Sequence, residues 1–307
     1  MTEIKNVTIL GAGAMGAIYA AKFFDAQDFN ISVLAEGERC ERLKRDGWEI
    51  NDKTYHLPVI SPEEAVEPAD LILVGLKHHH LPEAVPYMKK LVGDDTIILT
   101  VMNGLDSEEI IGAVYGMDKL LYAISLGIDA VREGNRITYT KLGRIIFGDA
   151  ENTTLSLRVQ RVQAAFQKAQ IACETPVDMM RMLWWKFMIN VGVNQASAVT
   201  RQTYDAFQTY PPAQALMNAL MQEVVNLAGA AGVNLTQQDL VDWYPVLNTL
   251  SPQGKTSMLQ DVEAGRKTEV EVFGGKVVAL GKQYGIPTPV NETVVQIIQV
   301  LEKNIAL

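Results

Sequence analysis

The chain has only two cysteines, Cys40 and Cys173, so disulfides cannot frame its fold and nothing points to secretion. It also lacks any run of about 18 apolar residues, the length a membrane-spanning helix needs. Its opening, MTEIKNVTIL, has neither a basic stretch nor a long apolar one, so no signal peptide is expected. Positive charge is in deficit, with 27 Lys and Arg against 36 Asp and Glu and a formal charge of −9. Nucleic acid and anionic membrane are therefore poor partners. An anionic ligand would have to be held locally, by helix N-termini or single cations. Histidines number four, three of them consecutive in Lys77–His80, KHHH. Consecutive side chains on a strand or helix do not face one way, and His56 is isolated. With no HExxH and no second ligand cluster, no metal site is expected. The expectation is a cytoplasmic protein.

What the chain does have is apolar residues, 48% of 307, enough core for one large domain or two ordinary ones. The first half alternates short apolar runs with amphipathic ones. Val7–Leu10 and Ile31–Leu34 read as strands, Ala14–Phe24 and Gly37–Arg45 as helices. Leu71–Leu76 and Thr96–Val101 are continuous apolar runs, which suit a parallel sheet covered on both faces. Strands alternating with helices imply a doubly wound α/β domain. Trp48–Val59, with Asn51-Asp52 as its turn, and Leu121–Phe147, with a hairpin at Gly134-Asn135, suggest antiparallel strands on one side of the sheet. From about Met179 helical patterns take over: Met179–Ala198, Ala213–Ala231, Gln237–Leu247, Glu269–Tyr284 and Thr293–Lys303. A boundary near Pro176 gives a dinucleotide-binding domain over residues 1–173 and an all-helical domain over residues 174–307.

Val7–Gly16, VTILGAGAMG, places Gly11, Gly13 and Gly16 in a G-x-G-x-x-G pattern between a strand and a helix. The first glycine allows a tight turn, the second close approach to a pyrophosphate, the third close packing of helix on strand. The helix start adds N–H donors for phosphate. Gly11, Ala12, Gly13, Ala14, Met15 and Gly16 are thus candidate dinucleotide contacts. Glu36 lies 20 residues after Gly16, past the second strand, where an acid binds the ribose 2′-OH of NAD(H). Arg39 and Arg42 follow and could instead accept a 2′-phosphate; Arg42 also fits a solvated helix face. Lys77 closes the run LILVGL at the carboxyl edge of the sheet, where ligands bind in such folds. Gly254-Lys255-Thr256 imitates the end of a P-loop but has no strand before it, and is rejected.

Trp184–Gln195, WWKFMINVGVNQ, is apolar nearly all round yet contains Lys186, Asn190 and Asn194. At 100° per residue these three fall within an arc of about 80°. A buried helix with one polar stripe faces either a cleft or a hydrogen-bonding neighbour. Asn103-Gly104 follows the run TIILTV and fits either a turn or a ligand contact. In Ser251–Glu271, spacing alone does not single out Ser257 or Glu269.

Together, ILGAGAMG, VGLK, MNG, WKFMINVGVN and SMLQDVEAGRKTEVEVFGGKV resemble the ketopantoate reductase (2-dehydropantoate 2-reductase) family over nearly the whole chain. The resemblance implies a Rossmann-type N-terminal domain, a helical C-terminal domain like that of 6-phosphogluconate dehydrogenase, and an active site in the cleft between them. It implies reduction of 2-dehydropantoate to (R)-pantoate with NADPH, in pantothenate biosynthesis. Lys186 matches the family's catalytic lysine and Glu269 its acidic residue, near the coenzyme as well. Asn190, Asn194 and Ser257 match substrate-binding positions; Lys77 and Asn103 match residues near coenzyme and substrate. The family commonly has an arginine where this chain has Glu36, which leaves NADP(H) and NAD(H) both open. The chemistry is coherent, because a ketone receiving hydride needs a proton or a cation at its oxygen. An apolar setting makes a lysine ammonium a better acid, and Glu269 would oppose part of that change. Two alternatives are an NADH-dependent reductase of another 2-oxo acid and a non-catalytic dinucleotide sensor. A homodimer and a monomer are equally compatible with the sequence.

Overall fold

In the computed structural model, which describes residues 3–303, the chain forms two compact units, Met1–Met180 and Arg181–Leu307. The first is built on twelve strands: β1 Asn6–Leu10, β2 Asn30–Leu34, β3 Trp48–Ile50, β4 Lys53–Tyr55, β5 Val59–Ile60, β6 Leu71–Val74, β7 Ile97–Thr100, β8 Leu120–Leu126, β9 Val131–Glu133, β10 Arg136–Thr138, β11 Arg144–Gly148 and β12 Cys173–Glu174. Eight of them form one sheet in the order β12-β11-β8-β7-β6-β1-β2-β5. Its pairings are parallel except β8 with β11.

Every residue of β6 and β7 is buried, as their unbroken apolar runs require. Alternate side chains enter different cores. Leu71 and Leu73 pack in a cluster with Tyr19, Phe23 and Phe166, whereas Ile72 and Val74 join Leu81, Met88 and Ile111. Because β1 lies between β2 and β6, the chain winds away from it in both directions, and a crevice opens at its carboxyl end.

Of the two extended excursions, β5, β8 and β11 belong to this sheet, where β8 and β11 supply the antiparallel pair expected on one side; the hairpin strands do not join it. They form a second one, β4-β3-β10-β9, in which β3 and β10 pair in parallel between two hairpins. Asn51 and Asp52 take φ of 46° and 64°, and Gly134 takes 64°, the left-handed values that two-residue hairpin turns demand. His78–His80 form a 3₁₀ turn that follows Lys77.

Among its described residues the second unit contains helices and no strand: Gln195–Thr200, Tyr204–Thr209, Pro211–Ala230, Gln237–Leu247, Ser257–Glu263, Lys276–Tyr284 and Pro289–Lys303, besides the helix entering at Met179–Ile189. Two of the expected helices are not uniform. Met179–Ala198 is broken by a π turn at Asn190–Asn194, and the helix expected from Glu269 begins as a π turn at Glu271–Gly275. The Thr256 hydroxyl accepts the Leu259 N–H and so starts a helix, and no strand precedes Gly254-Lys255-Thr256 among the described residues of this unit.

Phe166 is fully buried and meets Phe147 edge-on at 5.3 Å between ring centres. Phe166→Ala is expected to cost about 3–5 kcal/mol, read from the urea midpoint of unfolding.

Candidate active site

Each glycine of the loop has its own reason. Gly11 has φ of +110°, and a Cβ there would sit 2.5 Å from the Gly75 carbonyl oxygen. At Gly16 a Cβ would overlap the Gly11 carbonyl oxygen. Both are demanded by the fold. Gly13 is different: its φ is −75°, and a Cβ there would meet nothing nearer than the Gly75 oxygen at 3.7 Å. The protein itself leaves room for a side chain at Gly13, so a reason for glycine there lies with a ligand. Gly13 caps helix Ala14–Ala26 with no side-chain hydrogen bond and no acid in the first turn. Gly13, Ala14 and Met15 are half-buried, Gly11, Ala12 and Gly16 buried. Open N–H groups at a helix start suit a pyrophosphate.

Beside the loop lies a cavity of about 180 Å³, lined in part by Gly11, Ala35, Glu36, Arg39, Leu76 and Tyr87. Its walls are the carboxyl ends of β1 and β2. Glu36 is exposed at its edge. The Tyr87 hydroxyl donates to Glu83 Oε1 at 3.4 Å, and the nearby Glu36 carboxylate, burial and Glu83 push its pKa well up. Arg39 is half-buried and Arg42 exposed. Burial, then repulsion from Arg42, lowers the Arg39 pKa; burial, then Arg39 and Arg42, lowers that of Arg132. Arg132, on β9, donates from Nη1 to the Ala12 carbonyl at 2.5 Å. Tyr87 and Arg132 were not legible as site residues. They lie about 50 and 95 positions beyond Glu36, and only the fold joins them to it.

Lys77 and Asn103 are half-buried at the carboxyl ends of neighbouring strands β6 and β7. The turn carrying Asn103 contains Gly104 at φ of +104°. Its anchor is Glu108, 1% exposed, whose carboxylate accepts from Thr100 at 2.6 Å and from Ser107 at 2.9 Å. Burial raises the Glu108 pKa. Among the described residues no group of three or more His, Cys, Asp or Glu could hold a metal ion.

In the second unit the polar stripe is real. Asn190 and Asn194 are buried and linked, Asn194 Nδ2 donating to Asn190 Oδ1 at 3.3 Å. Ser257, at the start of helix Ser257–Glu263, donates to Asn194 Oδ1 at 3.3 Å. Residues 63 positions apart are thereby joined. Lys186, one turn before Asn190, is half-buried, and desolvation pushes its pKa down to about 8. Glu269 is half-buried, and its carbonyl accepts from Val272 and Phe273 as the second π turn begins.

The glycine geometry separates two outcomes. Gly16→Ala is expected to destabilise the protein by about 1–3 kcal/mol, from overpacking. Gly13→Ala should keep the wild-type unfolding midpoint yet weaken dinucleotide binding about tenfold or more, followed by fluorescence titration.

Comparison with known proteins agrees with this geometry. The family model described as ketopantoate reductase PanE/ApbA matches residues 7–152, and the model of its C-terminal part matches residues 178–302. A 2-dehydropantoate 2-reductase of Aquifex aeolicus is 26% identical, with 97% of each chain covered. The crystal structure of 2-dehydropantoate 2-reductase from Geobacter metallireducens is 25% identical with a TM-score of 0.84, covering 95% of this chain and 98% of that one. A ternary structure of D-mandelate dehydrogenase with NADH and anilino(oxo)acetate shares the fold at a TM-score of 0.89 and 18% identity, covering 98% and 99%. The chain therefore belongs to the ketopantoate reductase family, oxidoreductases that act on a CH–OH group.

Proposed function

We propose that the protein reduces 2-dehydropantoate to (R)-pantoate with a dihydronicotinamide dinucleotide, and that NADH is favoured over NADPH. The observation that carries the reaction is Lys186, an ammonium with its pKa pushed down to about 8, one helical turn from the linked Asn190, Asn194 and Ser257.

The residues around the first glycine loop fit a dinucleotide. Gly13 leaves space at a helix start without a side-chain cap, and the cavity at Gly11 and Glu36 suits the ribose end. A bound dihydronicotinamide supplies the hydride. Lys186 polarises the keto group and delivers its proton to the oxygen as negative charge develops there. A pKa of about 8 keeps it protonated near neutrality while making it a stronger acid than an ordinary lysine. Asn190, Asn194 and Ser257 bind substrate oxygens without adding charge. Glu269 orients the substrate hydroxyl. Asn103 and Lys77 stand at the carboxyl edge of the sheet, to contact coenzyme and substrate.

The coenzyme preference rests on Glu36. A carboxylate at the end of β2 accepts ribose hydroxyls and repels a 2′-phosphate. The grouping of Arg39, Arg42 and Arg132 is what favours NADPH instead. A second reading keeps this mechanism and changes the acid. It is supported by the shared fold with D-mandelate dehydrogenase, whose solved complex holds NADH and anilino(oxo)acetate. Dihydronicotinamide absorbance with a panel of 2-oxo acids and both coenzymes decides between them.

Lys186→Ala should lower kcat by at least about 10²-fold, and wild-type turnover in that variant would exclude the role. In the wild type kcat/KM for reduction should fall as pH rises through about 8, because the acid is the protonated lysine. Glu36→Arg should shift the kcat/KM ratio toward NADPH; an unchanged ratio would show that Glu36 does not meet the ribose.

A further inference from the structure

The π turn at Asn190–Asn194 divides the helix between Lys186 and the end of the polar stripe. Such turns persist only where surrounding groups compensate the disturbed ladder. In an α-helix the Val191 carbonyl would accept the backbone N–H of Gln195. Here that N–H goes to the Gly192 carbonyl. The Val191 oxygen accepts the Gln195 side-chain amide at 2.9 Å.

Gln195 is fully buried, and its amide makes a second bond, to Asn291 Oδ1 at 2.9 Å. Asn291 in turn donates to Glu223 Oε2 at 2.7 Å. Glu223 also accepts the backbone N–H groups of Val290 and Asn291, at 2.9 and 3.0 Å, at the start of helix Pro289–Lys303. A carboxylate there is favoured by the helix dipole. The amide of Gln195 is thus fixed from outside its own helix. From the other side, a Cβ on Gly274 would overlap its Oε1 and the Val295 Cγ2, so Gly274 in the second π turn admits this side chain and alanine would press on both.

We propose that Gln195 is a positioning residue: it holds the π turn that sets the direction of Asn194 and keeps it bonded to Ser257. Without its amide the helix relaxes toward regular α geometry. That shifts the register by one residue, a turn of about 100° between the two ends of the stripe. Asn194 then leaves Ser257. The proposal rests on the reading of Asn190, Asn194 and Ser257 as contacts of the 2-oxo acid.

Gln195→Leu keeps the volume and removes the amide. Its KM for the 2-oxo acid should rise about tenfold or more, as for a contact displaced by an ångström or more. The dissociation constant for NADH should stay within about twofold, since the glycine loop is untouched. Its crystal structure should show regular α-helix at 190–194 and no Asn194–Ser257 bond. Gly274→Ala should give the same KM defect, and adding it to Gln195→Leu should change little, because both act through one device. Gly274→Ala also serves if Gln195→Leu does not fold. An intact π turn in the variant structure, an unchanged KM with only a lower melting temperature, or additive KM effects would each overturn the proposal. A wild type that reduces no 2-oxo acid would remove the functional reading, while the crystal structure of Gln195→Leu would still judge whether Gln195 holds the turn.

Discussion

Partial removal of one ammonium from water is the constraint on which the proposed chemistry depends. Lys186 sits on a helix whose neighbours Leu183, Trp184, Phe187 and Met188 are buried, and desolvation moves its pKa toward neutrality. A fully solvated lysine would be a poor proton donor near neutral pH. One fully buried without any polar company would surrender its charge altogether. Half-burial of Lys186 lies between these limits, and the amides of Asn190 and Asn194 follow it on the same helix. They add dipoles and hydrogen-bonding capacity to an apolar helix without a counter-ion that would return the pKa to its ordinary range.

The glycine loop shows a different division of labour. Gly11 and Gly16 are fixed by the packing of strand, turn and helix, whatever binds there. Gly13 has no such obligation, and its freedom faces the helix start. A motif that reads as one signal in the sequence therefore splits into two structural requirements and one that points to a ligand. The cavity next to it combines opposed electrostatic preferences, with Glu36 against Arg39 and the neighbouring Arg132. The proposed coenzyme preference rests on Glu36, with these arginines acting against it.

Both π turns belong to the same logic of strain held by packing. Asn190–Asn194 and Glu271–Gly275 each interrupt a helix, and Gln195 and Gly274 bring the two interruptions into contact. The buried network of Gln195, Asn291 and Glu223 satisfies the Gln195 amide N–H groups, which a hydrocarbon core could not, and leaves only its Oε1 without a partner among the described residues.

Local pattern determined a good deal. Unbroken apolar runs gave β6 and β7, turn residues gave the hairpins at Asn51-Asp52 and Gly134-Asn135, and periodicity gave the long helices, because each depends on neighbours within a few residues. The polar stripe and the glycine loop were equally readable. Several things were not. The hairpins pair with each other in a separate sheet, since pairing across some 80 residues follows from tertiary packing. Tyr87 comes to the cavity, and Arg132 to the Ala12 carbonyl of the glycine loop, by topology alone. Ser257 reaches Asn194 from a distant helix, and spacing did not distinguish it. The π turns are invisible to a 100° periodicity, since a one-residue insertion is set by what surrounds the helix: here a buried glutamine amide and a glycine that leaves it room.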